Sequence, residues 1–352
     1  MKKPAMRGRG ATVNPAGRFA LQQSEEFDDG WWQDDEPSPQ TRLLTDSART
    51  IINYNNSPDV PFDRSINPYR GCEHGCPYCF ARPAHSFLDL SPGLDFETMI
   101  FHKPEAPELL RCELSKPGYR AAPVALGINT DGWQPLEKRL KLTRRILAVL
   151  AEFNHPVSIV TKSALIVRDL DLLAPMAEKG LVSVAISLPT IDPELARRME
   201  PRAATPARRL QTMRSLADAG VPVGVLVAPV IPHLNDHELE GALQTARDHG
   251  ARWGAHVLLR LPHELKEIFP AWLTENYPDR AAGVLRQLRE MRGGELYDAG
   301  FGTRMSGQGI MARLLIDRAR KTCARLGLNS EEWQLRSDLF RVPGRAVQQQ
   351  LF

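Results

Sequence analysis

The chain has 352 residues, 42% of them hydrophobic and 25% charged, with a formal net charge of +3. That length permits one large barrel or two domains, and the mild basicity leans toward nucleic acid without any base-reading motif to support it. No apolar run reaches the roughly 20 residues of a membrane span. The charged amino terminus has no apolar core behind it, so no secretion signal is expected.

Residues 1–45 read as a disordered tail. Lys2, Lys3, Arg7, Arg9 and Arg18 fill the first twenty positions with no acid, and an acidic block from Glu25 to Glu36 follows with no base. Such blocks bury too little apolar surface to fold alone. From there the chain alternates short apolar strands with amphipathic helices. Strands are expected at Ser65–Tyr69, Phe96–His102, Pro123–Asn129, Val157–Thr161, Val182–Ser187, Val223–Ala228 and Ala255–Arg260. Their near-continuous apolarity suits parallel strands covered on both faces. Helices are expected at 136–153, from the N-cap Thr205 and Pro206 to Gly220, and at Asp236–Asp248. Repeated units of this kind predict an α/β fold, a partial (β/α) TIM-like barrel over 46–262. A C-terminal helical extension is expected at 263–335, and a flexible tail at 336–352.

The chemistry concentrates in Cys72-Glu-His-Gly-Cys76-Pro-Tyr-Cys79, followed by Phe80. Three of the five cysteines stand in eight residues, spaced C-x3-C-x2-C, as a soft metal centre requires. Three thiolates on a four-iron cluster leave one iron open for a ligand. The competing reading is a zinc site with His74, His85 or His102 as fourth ligand, in a nucleic-acid-binding protein without catalysis. Zinc sites usually pair two separated ligand couples, and no second couple exists here. Clustered free thiols also suit a reducing cytoplasm; Cys112 and Cys323 read as ordinary helix residues.

Parallel α/β folds bind ligands at the carboxyl ends of their strands. Those ends carry Asn129-Thr130-Asp131, Thr161-Lys162-Ser163 and Ser187, polar groups an apolar strand does not need. They predict one shared site over the cysteine loop. Lys162 is either its cation or a solvated lysine, Asp131 either a site residue or a helix N-cap, and Ser187 either a site residue or a core hydroxyl.

The cysteine run resembles the cluster loop of the radical S-adenosylmethionine superfamily. The order N-P-Y-R-G-C-x3-C-x2-C-F, N-T-D, T-K-S, S-L-P-T and M-E-P-R resembles the branch related to spore photoproduct lyase, over residues 60 to 260. The resemblance implies a [4Fe-4S] cluster on Cys72, Cys76 and Cys79 and S-adenosyl-L-methionine approached by Lys162 and Ser187 only; Asn129 and Asp131 are expected to join them as hydrogen-bonding groups at their strand ends. It implies an enzyme of lyase or transferase type that reductively cleaves S-adenosylmethionine. The resulting 5′-deoxyadenosyl radical abstracts a hydrogen atom from a substrate, with nucleic acid slightly favoured. Arg82, His85, Glu200, Arg202 and His233 are the substrate-side candidates, with a Glu200–Arg202 salt bridge closing the barrel as the favoured alternative for that pair and a simple turn as the alternative for His233. The branch's lyase returns a hydrogen atom from a cysteine near the position of Asn129. This chain has no cysteine between Cys112 and Cys323, which sets it apart from that reaction. Implied partners are a reductant such as a flavodoxin or ferredoxin, DNA or RNA, and a sliding clamp docking the terminal Gln348-Gln-Gln-Leu351-Phe352; no membrane is implied.

Overall fold

A computed structural model describes residues 9–20, 40–331 and 334–344. In chain order, β1 (Arg42–Thr45), β2 (Ile52–Tyr54), β3 (Arg64–Ile66) and β4 (Tyr69–Arg70) lead into the cysteine loop. After it come α1 (Asp95–Thr98), β5 (Met99–His102), α2 (Ala106–Leu114), β6 (Val124–Leu126), α3 (Glu137–Leu140) and α4 (Leu142–Glu152). Then follow β7 (Val157–Thr161), α5 (Leu170–Glu178), β8 (Val182–Ser187), α6 (Pro193–Met199), α7 (Pro206–Asp218) and β9 (Val223–Val230). The chain continues through α8 (Leu239–Asp248), β10 (Trp253–Leu258), α9 (Leu265–Asn276), α10 (Pro278–Glu290) and α11 (Gly309–Leu326).

The main sheet runs β10-β9-β8-β7-β6-β3-β2. Every pair in it is parallel except β2 with β3. Its edge strands β10 and β2 do not pair with each other, so the barrel is partial and open along one side. The sheet β1-β5-β4 lies apart and holds the stretch expected as Phe96–His102, whose first half is helix α1.

The strands are not apolar on both faces. In β8 the residues Val182, Val184 and Ile186 are fully buried, while Ser183, Ala185 and Ser187 line an internal cavity. Period-2 alternation puts these sets on opposite faces. Small inward side chains here and at Ser65 and Ser158 leave a cavity of 1530 Å3 on the concave face. At its far end Trp253 lies over Gly224, where a Cβ would meet the indole at 2.2 Å.

The helix expected at 136–153 is broken. Lys141 adopts φ 51°, and the Glu137 carboxylate accepts the amides of Leu142 and Thr143 at 2.9 and 3.0 Å, capping α4. Thr205 caps α7 through the Arg208 amide, as expected. The helical extension divides at Tyr277, before Pro278, and α11 packs on α8 and β10.

Both expected tails are partly folded. Of 1–45, β1 joins the smaller sheet and residues 9–20 lie against the cysteine loop. Of 336–352, Arg336 and Arg341 donate their amides to Gly180 and Phe153 carbonyls, and Phe340 packs on Tyr119 and His155. Charge blocks predict disorder only for a segment acting alone, and residues 9–20 borrow partners from the body; residues 1–8 and the acidic block from Glu25 to Glu36 lie outside the described residues. The clamp-like residues 348–352 lie outside the described residues.

Candidate active site

β4 delivers the chain into a loop that places Cys72, Cys76 and Cys79 on the cavity wall. All three are free thiols; Cys72 and Cys76 are buried and Cys79 half-buried. Between the first two, Gly75 takes φ 72°, where a Cβ would come 2.8 Å from the Glu97 carboxylate, so only glycine fits. Arg82 clamps the loop from outside. It donates to the carbonyls of Cys76 at 2.7 Å and Gly93 at 2.7 Å and ion-pairs with buried Glu97. Glu97 also accepts the amides of Gly10 and Ala11 at 3.0 and 2.8 Å. Gln134 holds the inner side, accepting the Glu73 amide at 2.9 Å and donating to the Gly71 carbonyl at 3.2 Å.

Opposite the thiols, the ends of β6, β7 and β8 bring Asn129, Asp131, Lys162 and Ser187 to the same cavity. Asp131 is a brace. Its carboxylate accepts the Thr161 hydroxyl and the Lys162 amide at 2.7 Å each and the Trp133 amide at 2.9 Å, in a turn rather than a helix cap. His74 lies 3.5 Å from the same carboxylate. Asn129 is exposed to the cavity, its backbone held by the Asn67 side chain at 3.0 Å. Ser187 is 2% exposed, with the Ala228 carbonyl 3.4 Å away.

A buried chain of charge lies beneath the thiols. The Tyr78 hydroxyl donates to Glu200, which ion-pairs with Arg209. Arg209 in turn donates to the Ser187 carbonyl at 2.9 Å and the Ala204 carbonyl at 2.8 Å. Burial alone would raise Glu200, but Arg209 and Lys162 outweigh it and hold the carboxyl below its usual range. Lys162 sits 5.9 Å from the Tyr78 ring centre. Burial would lower it, and the charges at Cys76 and Glu200 leave it above its ordinary value. Burial and the Glu200 charge push the Cys76 thiol up to about 12, with Lys162 pulling the other way. Burial and Asp131 raise Cys72 well above its usual range.

The donor set suits a cluster better than zinc. Among the described residues no three His, Cys, Asp or Glu groups are placed to hold one metal ion. A cluster with a separate iron for each thiol does not need the thiols to meet at one point. The histidines weighed as a fourth zinc ligand are engaged elsewhere: His74 beside Asp131, His85 on the Met99 carbonyl at 3.0 Å, His102 on the Leu44 carbonyl at 2.9 Å.

None of the five substrate-side candidates lines the cavity. Arg82, Glu200 and Arg202 are taken up by ion pairs with Glu97, Arg209 and Glu73, and His85 is buried. His233 is an exposed turn residue at φ 61°. Sequence reasoning missed Arg260, on the cavity wall beside Phe80. Its place at the end of an expected strand was the available signal.

The family model of the Radical SAM superfamily matches residues 66–246. An uncharacterized protein of Mycobacterium tuberculosis is 41% identical over 226 residues, covering 64% of this chain and 66% of that one. The match therefore spans just under two thirds of that relative. An uncharacterized protein of Methanocaldococcus jannaschii is 27% identical over 196 residues, covering 56% and 70%. Among solved structures, spore photoproduct lyase complexed with dinucleoside spore photoproduct aligns with a TM-score of 0.58 and 17% identity, over 81% of this chain and 80% of that one. At that identity the likeness is one of fold.

Proposed function

The chain belongs to the radical SAM superfamily, and from that premise we propose that Cys72, Cys76 and Cys79 hold a [4Fe-4S] cluster and that Asn129, Asp131, Lys162 and Ser187 form the wall that receives S-adenosylmethionine. The observation that carries this reading is the meeting of the three thiols with Lys162 and the β6–β8 strand ends in one cavity. When bound, the two cofactors supply a 5′-deoxyadenosyl radical that takes a hydrogen atom from the substrate.

The chain's own residues do the remaining work. Lys162 offers a cation to a carboxylate. Asn129 offers an uncommitted side-chain amide, with donors and an acceptor for hydroxyls. Asp131 positions Lys162 through its backbone amide. The packed cysteine loop, with Cys72 and Cys76 buried, keeps water from the thiols on its side, as a reactive radical requires.

The substrate is proposed to be a nucleic acid or a component of one. Support comes from the mild positive charge of the chain and the dinucleoside ligand in the structural relative's description. No cysteine lies between Cys112 and Cys323 in the sequence, so a different hydrogen-return step from the branch's lyase is proposed. Enzymes of this superfamily need a reductant, for which a flavodoxin or ferredoxin is proposed; the clustered free thiols support a cytoplasmic location. Among the described residues no helix is long and apolar enough to cross a membrane. A sliding clamp docking residues 348–352 completes the partners proposed, supported by the sequence pattern alone.

Anaerobic reconstitution tests the reading. About four iron and four sulfide per chain with broad visible absorbance are expected, with 5′-deoxyadenosine released under reductant. Both should be lost in Cys76→Ala. Zinc in place of iron, with no visible absorbance, would overturn it.

A further inference from the structure

Beyond β10 the chain carries Leu259 and Arg260 along the cavity wall. The Arg260 guanidinium carbon stands 5.4 Å from the ring centre of Phe80. Phe80 follows directly on Cys79 and is 42% exposed, unusual for a large apolar side chain beside a buried loop. Arg260 has only weak neutral neighbours: Nη1 is 3.4 Å from the Met305 sulfur and Nη2 3.4 Å from the Tyr297 hydroxyl. Its Nε is buried without a partner. Among the described residues no carboxylate pairs with it. Arg304 on the same wall, by contrast, is saturated by Asp59 and the Ser57 hydroxyl.

A second guanidinium lies behind it. Arg292 is 2% exposed and donates only to the carbonyls of Leu259, Thr303 and Arg304. Burial and the neighbouring Arg260 charge hold it down to about 10. Two like charges thus sit together beside an open cavity with no carboxylate bonded to either. Desolvated charge without a partner is costly. An anion entering from the cavity would remove that cost. A guanidinium fork suits phosphate oxygens, and an exposed aromatic face beside it suits a flat base.

We propose that Arg260 binds a phosphate group of the substrate at the cavity wall while Phe80 contacts the adjoining base, so that the substrate is a nucleotide, free or within a chain. The inference rests on the radical reading for why a substrate must come beside the cysteine loop, but the binding itself needs no cleavage.

The test uses the full chain with its cluster reconstituted. It is titrated at several fixed salt concentrations with fluorescein-labelled single-stranded DNA and with RNA of the same sequence, alone and against an unlabelled mononucleotide or an unlabelled oligonucleotide. Arg260→Met should weaken binding by about tenfold or more and lower the salt slope by about one. Arg260→Lys should recover part of the loss, and Phe80→Leu should lose a few-fold. Binding of S-adenosylmethionine should be unchanged in all three. Competition by the mononucleotide assigns the site to free nucleotides, and competition by unlabelled oligonucleotide alone assigns it to chains; either supports the proposal. It is overturned if the wild-type chain binds neither class, if Arg260→Met binds as the wild type does, or if Arg260→Met loses S-adenosylmethionine in the same proportion. A chain that cleaves S-adenosylmethionine without Arg260-dependent phosphate binding sinks the inference alone. One that binds through Arg260 but never cleaves sinks the radical reading alone.

Discussion

Tyr78 and Glu200 are joined across 122 residues of sequence: the phenol between Cys76 and Cys79 donates to a carboxylate that closes α6. Glu200 is thereby shared between the cysteine loop and Arg209. Glu200→Gln leaves Arg209 buried without a countercharge and should destabilise the fold by about 3–5 kcal/mol. Tyr78→Phe removes one bond and should cost about 1–2 kcal/mol. Midpoints of urea unfolding under argon measure both. Equal midpoints for the two variants would show that Glu200 owes nothing to Arg209.

Asp131 should matter to S-adenosylmethionine and not to iron. Asp131→Ala releases the Thr161 hydroxyl and the Lys162 amide, so Lys162 is no longer held over the cavity. The dissociation constant for S-adenosylmethionine should rise about tenfold, the worth of one charge-assisted contact. Iron per chain should match the wild type. Lys162→Met should do the same, and a loss of iron in either variant would place these residues in loop support instead.

The 9–20 segment should protect the loop. A Cβ at Gly10 would stand 1.6 Å from the Gly75 carbonyl oxygen, so Gly10→Val cannot seat. Faster tryptic cleavage at Arg18 and faster bleaching of the cluster in air are expected. Unchanged bleaching with faster cleavage would make the segment a passive cover.

His155 should make stability fall in mild acid. It is fully buried, accepts or donates to the Tyr119 hydroxyl at 2.8 Å, and burial holds it down to about 4. An unfolded histidine titrates near 6.5, so below that the unfolded chain binds more protons than the folded one. The contribution is therefore complete above about 6.5 and lost as pH falls to about 4, at most roughly 3 kcal/mol. Urea midpoints at pH 7, 6 and 5 should show a shallower decline in His155→Gln than in the wild type; parallel declines would refute it.

Much of the site was legible because parallel strands present their carboxyl ends to ligands. Asn129, Asp131, Lys162 and Ser187 were readable from strand position alone, and they share one cavity with the three thiols. The strands β7 and β8 fell where expected, because their β-branched outer faces are buried under helices. The break at Lys141 was not legible, since a lysine at positive φ has no sequence signature and its cause is the capping of α4 by the Glu137 carboxylate. Arg209 and Gln134 were hidden for a similar reason: their partners are distant in sequence. The ion pairing favoured for Glu200 and Arg202 holds, but not between those two: their counterions are Arg209 and Glu73, and a partner cannot be assigned from sequence when several charges compete for it.

The Gly10 amide and the Glu97 carboxylate that holds it are 87 residues apart. Closing so long a loop is entropically slow to begin, and the acceptor is synthesised well after the donor. Gly10 is therefore synthesised before its seat exists and must wait for Glu97 to be made and folded. Until Glu97 is in place, residues 9–20 have no anchor on the cysteine loop, so the cover of that loop depends on the most distant of its contacts.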